Sequence, residues 1–142
     1  MNYNNKSEIL KRANFLLKDG VKNRESIFHT PIISSFSNQD ISSRVMVLRA
    51  HNATLRTMRF HSDFRSDKVK ELLDDPRTSI IGYDPALKTQ IRLIGKSKIH
   101  HNNKNSLKAW DESQAISKKC YSVKDGSSHK AKNPEIYDFH MK

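Results

Sequence analysis

With 142 residues, a net charge of +11 and only 35% hydrophobic residues, the chain is small and polar, which favours a single domain over residues 1–142 whose modest core is completed by association. The single cysteine, Cys120, excludes an intrachain disulfide and a cysteine-based zinc cluster, and the sequence holds no apolar run near the about 20 residues of a membrane helix. No signal-peptide core begins the chain, so a cytoplasmic protein is expected, and the positive charge indicates either nucleic acid or a phosphorylated cofactor as its partner.

The first predicted element is an amphipathic helix over residues 7–18. Its apolar residues recur every three or four positions and therefore share one face. They are Ile9, Leu10, Ala13, Leu16 and Leu17. Ser7 is the predicted N-cap and Gly20 the predicted stop, because serine favours helix starts and glycine favours helix ends.

The middle of the chain changes to the alternating pattern that is typical of β-strands. We expect strands over residues 30–36, 43–50 and 55–61. Residues 51–53, His-Asn-Ala, are the predicted turn of a hairpin that joins the second and third of these strands.

Four further elements are expected beyond residue 65: a short helix over 66–74, strands over 78–83 and 89–100, and a helix over 105–117. Gly95 is a predicted bulge or a point of close backbone approach. Residues 122–142 are expected to form a loop or tail. Antiparallel strands at short spacing with helices at the ends predict a mainly β fold, a small β-barrel with peripheral helices.

The segment from Phe60 to Lys68 is the most informative part of the chain for function. The pattern predicts a strand that leads to a helix N-terminus, where backbone N–H groups are unpaired and carry partial positive charge. Ser62 and Ser66 add hydroxyl donors there, and Arg65 adds a full charge beside that of the lysine. The segment therefore predicts a site for a phosphate group.

Two other groupings of reactive side chains are weak signals. Residues 61–63, His-Ser-Asp, contain the residue types of a hydrolytic triad, but neighbours in sequence cannot adopt triad geometry. His100 and His101 would face opposite ways on a strand and make poor co-ligands, so no metal site is expected.

Three ordered blocks of this sequence resemble the pyridoxamine 5'-phosphate oxidase-like flavoproteins, the FMN-binding split-barrel family. The blocks are Arg44–Arg49 (RVMVLR), Phe60–Lys68 (FHSDFRSDK) and Gln90–Lys96 (QIRLIGK). The second block is similar to the branch of the family whose motif is His, Thr or Ser, Asp, then Arg-Ser-x-Lys. Each block is weak alone, but their order and spacing make the resemblance specific over roughly residues 31–121.

The resemblance implies a split β-barrel homodimer with FMN in a cleft between the subunits. Carried over by position, Arg44 and Lys68 would bind the FMN phosphate, with help from Arg65 and Ser66. A forked guanidinium and a point-charge ammonium both suit phosphate oxygens.

The same resemblance implies positions for the rest of the cofactor and for a substrate. The residues along the isoalloxazine would be Val45, Met46 and Val47. The residues at the ring or ribityl chain would be His61 and Ser62. Gln90 would lie near the polar edge of the flavin, where an amide can both donate and accept. Arg49 would face a phosphate or carboxylate of a small-molecule substrate.

Two features depart from the pyridoxamine 5'-phosphate oxidases proper. Asp67 stands where those enzymes usually have an arginine directly before the helix lysine, so Arg65 is expected to compensate. Their C-terminal region, whose tryptophan and arginine complete the partner's site, has no counterpart here, because the single tryptophan is Trp110 and the chain ends at Lys142. We expect a chain that is C-terminally truncated relative to the family or that dispenses with this region.

The function expected from these signals is that of an FMN-dependent oxidoreductase of unassigned substrate. No catalytic residue is assigned, because the flavin carries the redox chemistry. Two alternatives stay open. One is a non-catalytic flavin-binding protein, and the other is a basic β-barrel that binds nucleic acid, as small barrels with basic strands do.

Overall fold

The computed structural model describes residues 4–115 together with Lys118 and Tyr121. The chain divides into two compact units. We call Met1–His61 with Arg77–Lys96 the strand unit, and Ser62–Pro76 with Ser97–Lys142 the helix unit. The predicted tail and Cys120 lie outside the described residues. Within the described part of the chain, no helix is long and apolar enough to cross a membrane.

The strand unit begins with helix α1, Lys6–Lys22. Its N-cap is Asn5, whose side chain accepts hydrogen bonds from the backbone N–H groups of Ser7 and Glu8. The predicted N-cap, Ser7, is therefore wrong by two residues, because an asparagine upstream already satisfies the first free donors. Gly20 does not end the helix either, since α1 continues for two residues beyond it.

Six strands form two antiparallel sheets in the strand unit. The four-stranded sheet has the order β2-β1-β5-β6 and is built from β1 (Ile32–Ser37), β2 (Asp40–Val45), β5 (Arg77–Asp84) and β6 (Thr89–Lys96). The two-stranded sheet pairs β3 (Leu48–Asn52) with β4 (Thr57–Phe60). The expected hairpin is present, but its turn lies at residues 53–56 rather than at 51–53, because His51 and Asn52 pair within β3.

Two sequence predictions about the strands are wrong. The predicted strand over 43–50 is two strands in different sheets, which separate at Met46 and Val47. The Met46 N–H donates to the Pro31 carbonyl at 3.2 Å, and this is the last bond between the two strands, because Pro31 has no N–H to donate in return. Gly95 is not a bulge, because it pairs in register with Thr78 and a Cβ at this position would meet nothing within 4 Å.

Phe28 is the centre of the core of the strand unit and is 1% exposed. It lies in a short 3-10 turn, Ile27–His29, and joins a cluster with Leu16, Leu17 and Ile91. Two glycines give it room, since a Cβ on Gly20 would come within 2.7 Å of the Phe28 backbone and one on Gly82 within 2.9 Å of its ring. Helix α1 is thereby held against one face of the four-stranded sheet.

The described part of the helix unit contains α2, Asp67–Asp74, and α3, Lys104–Asp111. The start of α2 agrees with the predicted helix over 66–74, since Ser66 is its N-cap residue. A capping box between Asn103 and Ser106 begins α3. The preceding strand ends at Lys96 rather than at residue 100 as predicted.

Candidate functional site

The four-stranded sheet has one covered and one exposed face, and the predicted site residues are divided between them. The register places Ile33, Ser35 and Arg44 on the covered face, where Ile33 and Ser35 are 4% and 3% exposed. The opposite face carries Val45, which is 61% exposed, and Gln90. Side chains of neighbouring residues on a strand point to opposite faces of the sheet, so the side chains of Arg44 and Val45 lie on different faces.

Arg44 is held by a set of oxygen acceptors on the covered face. Its Nη1 donates to Ser35 Oγ at 2.7 Å and reaches the Ile33 carbonyl at 3.5 Å, and its Nη2 donates to Ser42 Oγ at 2.8 Å. These contacts with two serine hydroxyls and a backbone carbonyl fix the plane of the guanidinium. A guanidinium held in this way is suited to bind an anion.

The two residues after Val45 connect the sheets. Met46 and Val47 are half-buried. Because the Met46 N–H already bonds the Pro31 carbonyl, the backbone contact that Met46 offers a flavin is its carbonyl oxygen. Of the backbone contacts that the resemblance implies for Met46, only the one from the carbonyl oxygen is therefore available.

Arg49 lies at a β-bulge. The pairing of β3 with β4 shifts register between Leu48 and Ala50, so Arg49 is the extra residue on its strand. A bulge bends the strand and re-aims the side chain it contains. Arg49 and His61 are both half-buried, and His61 directly follows the end of β4.

Val45 and Gln90 share the exposed face but are not neighbours within one chain. They belong to the outer strands β2 and β6, which β1 and β5 separate. Three inter-strand spacings of about 4.8 Å put the outer strands roughly 14 Å apart. Gln90 pairs instead with Tyr83 on the adjacent strand.

The loop before α2 is organised by Asp63. The Asp63 carbonyl accepts the Ser66 N–H at 3.1 Å and the Ser66 hydroxyl at 2.7 Å, and the Asp63 carboxylate accepts the Arg65 N–H at 2.9 Å. Ser66 is completely buried, and Ser62 Oγ lies 3.1 Å from Ser66 Oγ. The Ser66 hydroxyl therefore holds the turn in this structure.

Arg65 forms an ion pair with the same carboxylate. Its Nε lies 2.9 Å from Asp63 Oδ1 and its Nη2 bonds Asp63 Oδ2, while the side chains of Arg65 and Asp63 are 44% and 12% exposed. The hydrogen bond from Arg65 holds the pKa of Asp63 below its ordinary value of 3.8, with a smaller charge contribution from Lys68 in the first turn of α2.

The donor chemistry of the predicted phosphate residues fits a phosphate monoester. Arg44 offers a positioned fork, and Lys68, which is half-buried, offers an ammonium group at a helix start. Arg65 and Ser66 are less available to a phosphate, because Asp63 already bonds the Arg65 guanidinium and the Ser66 hydroxyl.

The roles of three residues in this arrangement were not predicted from the sequence. They are Ser35 and Ser42, which hold Arg44, and Asp63, which organises the loop. A signal for Ser35 is present in the sequence, since a serine at an inward position of a strand must find a hydrogen-bond partner. Asp63 resembles the residue that starts an Asx turn, in which a carboxylate accepts the N–H two positions ahead.

The two adjacent histidines have partners other than a metal. His101 stacks on Phe64 with ring centroids 3.7 Å apart, and His100 Nδ1 lies 3.1 Å from Asn103 Nδ2. Within the residues that the structure describes, no group of three or more His, Cys, Asp or Glu side chains could hold a metal ion.

Comparisons with known proteins support the resemblance. The family model for the pyridoxamine 5'-phosphate oxidase FMN-binding domain matches residues 14–101. This is an FMN-binding domain, which confirms FMN as the cofactor expected from the sequence. No curated protein sequence matches the chain.

Three solved structures share its fold at low sequence identity. A pyridoxamine 5'-phosphate oxidase-related, FMN-binding protein from Nostoc punctiforme is 16% identical, with a TM-score of 0.64 over 94% of this chain and 69% of its own. A candidate pyridoxamine 5'-phosphate oxidase from Listeria innocua is 15% identical, with a TM-score of 0.58 over 75% of this chain and 82% of its own.

The third is PhzG from Burkholderia lata, solved in complex with tetrahydrophenazine-1-carboxylic acid. It is 19% identical, with a TM-score of 0.65 over 89% of this chain, and this chain spans 60% of its length. The mainly β, split-barrel fold expected from the sequence is thus confirmed.

Proposed function

Because the chain belongs to the pyridoxamine 5'-phosphate oxidase FMN-binding domain family, we propose that it is a homodimeric flavin-dependent oxidoreductase acting on a small anionic substrate. The observation that supports the proposal is Arg44, whose guanidinium is positioned by the hydroxyls of Ser35 and Ser42 and which the family resemblance assigns to the FMN phosphate. A cytoplasmic location stays a prediction of the sequence.

The residues of this chain have distinct parts in the proposed site. Arg44 and Lys68 bind the phosphate of FMN, and Arg65 and Ser66 contribute after rearranging their bonds to Asp63. Val45, with the carbonyl of Met46, lies along the isoalloxazine. These contacts anchor the cofactor in one orientation.

The remaining assignments concern the ring and the substrate. Val47 completes the wall along the isoalloxazine, and His61 and Ser62 lie at the ring or ribityl chain. Gln90 donates to and accepts from the polar edge of the flavin. FMN, when bound, supplies the redox chemistry, exchanging a hydride with a substrate carbon or a reduced nicotinamide. Arg49 orients the substrate through its phosphate or carboxylate, and the bulge directs its side chain.

The exposed face of the four-stranded sheet supports the dimer. Several large apolar side chains are exposed on this face, where a lone subunit would leave them in water. They are Ile32 (44% exposed), Ile41 (72%), Val45 (61%), Tyr83 (53%) and Ile94 (80%). The separation of Val45 from Gln90 within one chain also fits a cofactor that is contacted by two copies.

The first experiment is an absorbance spectrum of the purified protein, followed by titration with FMN. We expect bound flavin at about one per subunit, with micromolar or tighter affinity. A colourless protein that does not bind added FMN would contradict the proposal. If flavin binds but neither reduced nicotinamide nor any phosphorylated amine changes its spectrum, the non-catalytic alternative replaces the oxidoreductase.

The dimer is tested separately by light scattering on the FMN-loaded protein. Ile94→Lys places a charge on the exposed face of the sheet and is expected to yield monomers. Leu10→Lys, on α1, is the matched control, because Leu10 is also exposed (58%) but lies outside the sheet. A wild-type monomer, or equal dissociation in both variants, would contradict an interface on this face.

A further inference from the structure

A groove in the strand unit lies outside the set of residues assigned to FMN. Its volume is about 370 Å³, and it runs between one side of α1 and the end of β3. Its lining includes Lys11, Asn14, Phe15, Lys18, His51 and Asn52. None of the residues that line it belongs to the three blocks that carry the family resemblance.

The two walls of the groove are fixed to each other. The helical wall is one stripe of α1, since Lys11, Asn14, Phe15 and Lys18 are spaced by three, one and three residues. The other wall is the end of β3. His51 Nε2 lies 3.0 Å from Asn14 Oδ1, so a hydrogen bond links the strand to the helix. The groove is therefore preformed.

The charge of the groove selects an anion. Its lining contains two lysines and no carboxylate. Neither Lys11 nor Lys18 forms a hydrogen bond or ion pair with another residue in the described part of the chain. The two residues are two helical turns apart, which is about 10.5 Å along α1, so an anion between them would feel both ammonium groups.

Phe15 adds a flat apolar surface beside this charge. It is 59% exposed although it is large and aromatic, and the guanidinium carbon of Arg12 lies 5.3 Å from its ring centroid. An exposed ring next to positive charge is the combination with which proteins stack a nucleotide base while they neutralise its phosphate.

We propose that this groove binds a free mononucleotide, with the phosphate at Lys11 and Lys18 and the base against Phe15. The volume lies within the range of about 300–1,000 Å³ that is typical of small-molecule sites. The inference is independent of FMN binding, because none of these residues is assigned to the flavin.

The test is calorimetric titration of adenosine monophosphate into the FMN-saturated protein and into the flavin-free protein. The groove variant is Lys11→Ala/Lys18→Ala. Its control is Lys6→Ala/Lys22→Ala, which removes the same charge from the same helix but at its two ends. We expect the groove variant to weaken binding at least about tenfold, as for two charge contacts near the surface, and the control to stay within about twofold.

Phe15→Ala is expected to weaken adenosine monophosphate binding about fivefold or more, as for loss of one base stack, and to leave binding of inorganic phosphate unchanged. Equal losses in the two lysine variants, or adenosine binding as tightly as its monophosphate, would overturn the proposal. A single-stranded oligonucleotide that binds while adenosine monophosphate does not would overturn it in favour of a nucleic-acid surface. If flavin fails to bind but the nucleotide results hold, only the proposed function is lost.

Discussion

Arg44 and Arg65 are both expected at the FMN phosphate, yet the two units hold them in opposite ways. Arg44 donates to the hydroxyls of Ser35 and Ser42, which are neutral. Arg65 donates through both Nε and Nη2 to the carboxylate of Asp63, which carries a full negative charge. The serine hydroxyls fix the plane of the Arg44 guanidinium, and the Asp63 carboxylate forms an ion pair with that of Arg65.

The difference matters because a phosphate competes with whatever an arginine already binds. A guanidinium held by hydroxyls gains a charge-assisted bond when a phosphate arrives, whereas one paired with a carboxylate must share or exchange an equivalent bond. Residue type and motif position do not distinguish the two arginines. The side chains that each arginine bonds do distinguish them, and the mutations below measure how each arginine contributes to FMN affinity.

The largest effect on FMN affinity is expected at the two cations that the family resemblance assigns directly to the FMN phosphate. We expect Arg44→Ala and Lys68→Ala each to weaken binding by about 1.5–3 kcal/mol, as for hydrogen bonds to charged groups. Flavin fluorescence titration measures the affinity. Arg44→Lys is the control: it keeps the charge but loses the fork, so its loss should be smaller. Unchanged affinity in both alanine variants would place the phosphate elsewhere.

Ser35→Ala is expected to weaken FMN binding indirectly, through the position of Arg44. It removes an acceptor of Arg44 in a residue that is 3% exposed, so the free energy of unfolding should fall by about 1 kcal/mol and FMN should bind more weakly. Ser34→Ala is the matched control, because Ser34 also bonds a β2 hydroxyl, that of Ser43 at 2.7 Å, but on the exposed face. Urea unfolding and FMN titration should separate the two. Equal effects would mean that Ser35 does not position Arg44.

Arg65→Ala is expected to reduce FMN affinity by less than about 1 kcal/mol, because Asp63 already satisfies much of this guanidinium. The effect of Arg65→Ala on FMN affinity should differ in an Asp63→Asn background. Asparagine can still accept the Arg65 N–H but carries no charge, so the Arg65 guanidinium becomes available to the phosphate. In this background, Arg65→Ala should therefore reduce FMN affinity by more than it does in the wild type. A double-mutant cycle by fluorescence titration measures this coupling. A coupling energy of zero would show that the ion pair does not compete with the cofactor.

The sequence was a good guide to elements with strong local signals. The hairpin is present with its turn two residues later than predicted, and the helix expected over 66–74 is present as α2, because an apolar stripe at helical spacing and a following proline are local signals. The strand over 43–50 failed for a different reason. Alternation is the same in either sheet, and the end of the β1–β2 ladder at the bond from Met46 to Pro31 depends on a long-range pairing.

The candidate site was predictable to a different degree. The three blocks were sufficient to identify the family and FMN, both of which are confirmed. The site residues, the dimer and the oxidoreductase activity stay predictions. What could not be read from the residues is that Ser35, nine positions from Arg44, meets it through strand pairing, and that the Asp63 backbone carbonyl accepts from Ser66.

The smallest expected effect is on the pH dependence of stability. The pKa of Asp63 is lowered in the folded state, chiefly by the hydrogen bond from Arg65, so folding favours the ionised carboxylate. This contribution is fully present above the ordinary value of 3.8 and is lost as the pH falls through the lower folded-state pKa. Urea unfolding between about pH 6 and pH 3 should therefore show a steeper acid loss for the wild type than for Asp63→Asn, which has no proton to gain. Because Arg65 is 44% exposed, solvent weakens the pair, and we expect the two curves to diverge only modestly. Parallel curves would mean that the carboxylate of Asp63 titrates as it does in the unfolded chain, and the distinction drawn between Arg44 and Arg65 would then lose its electrostatic basis.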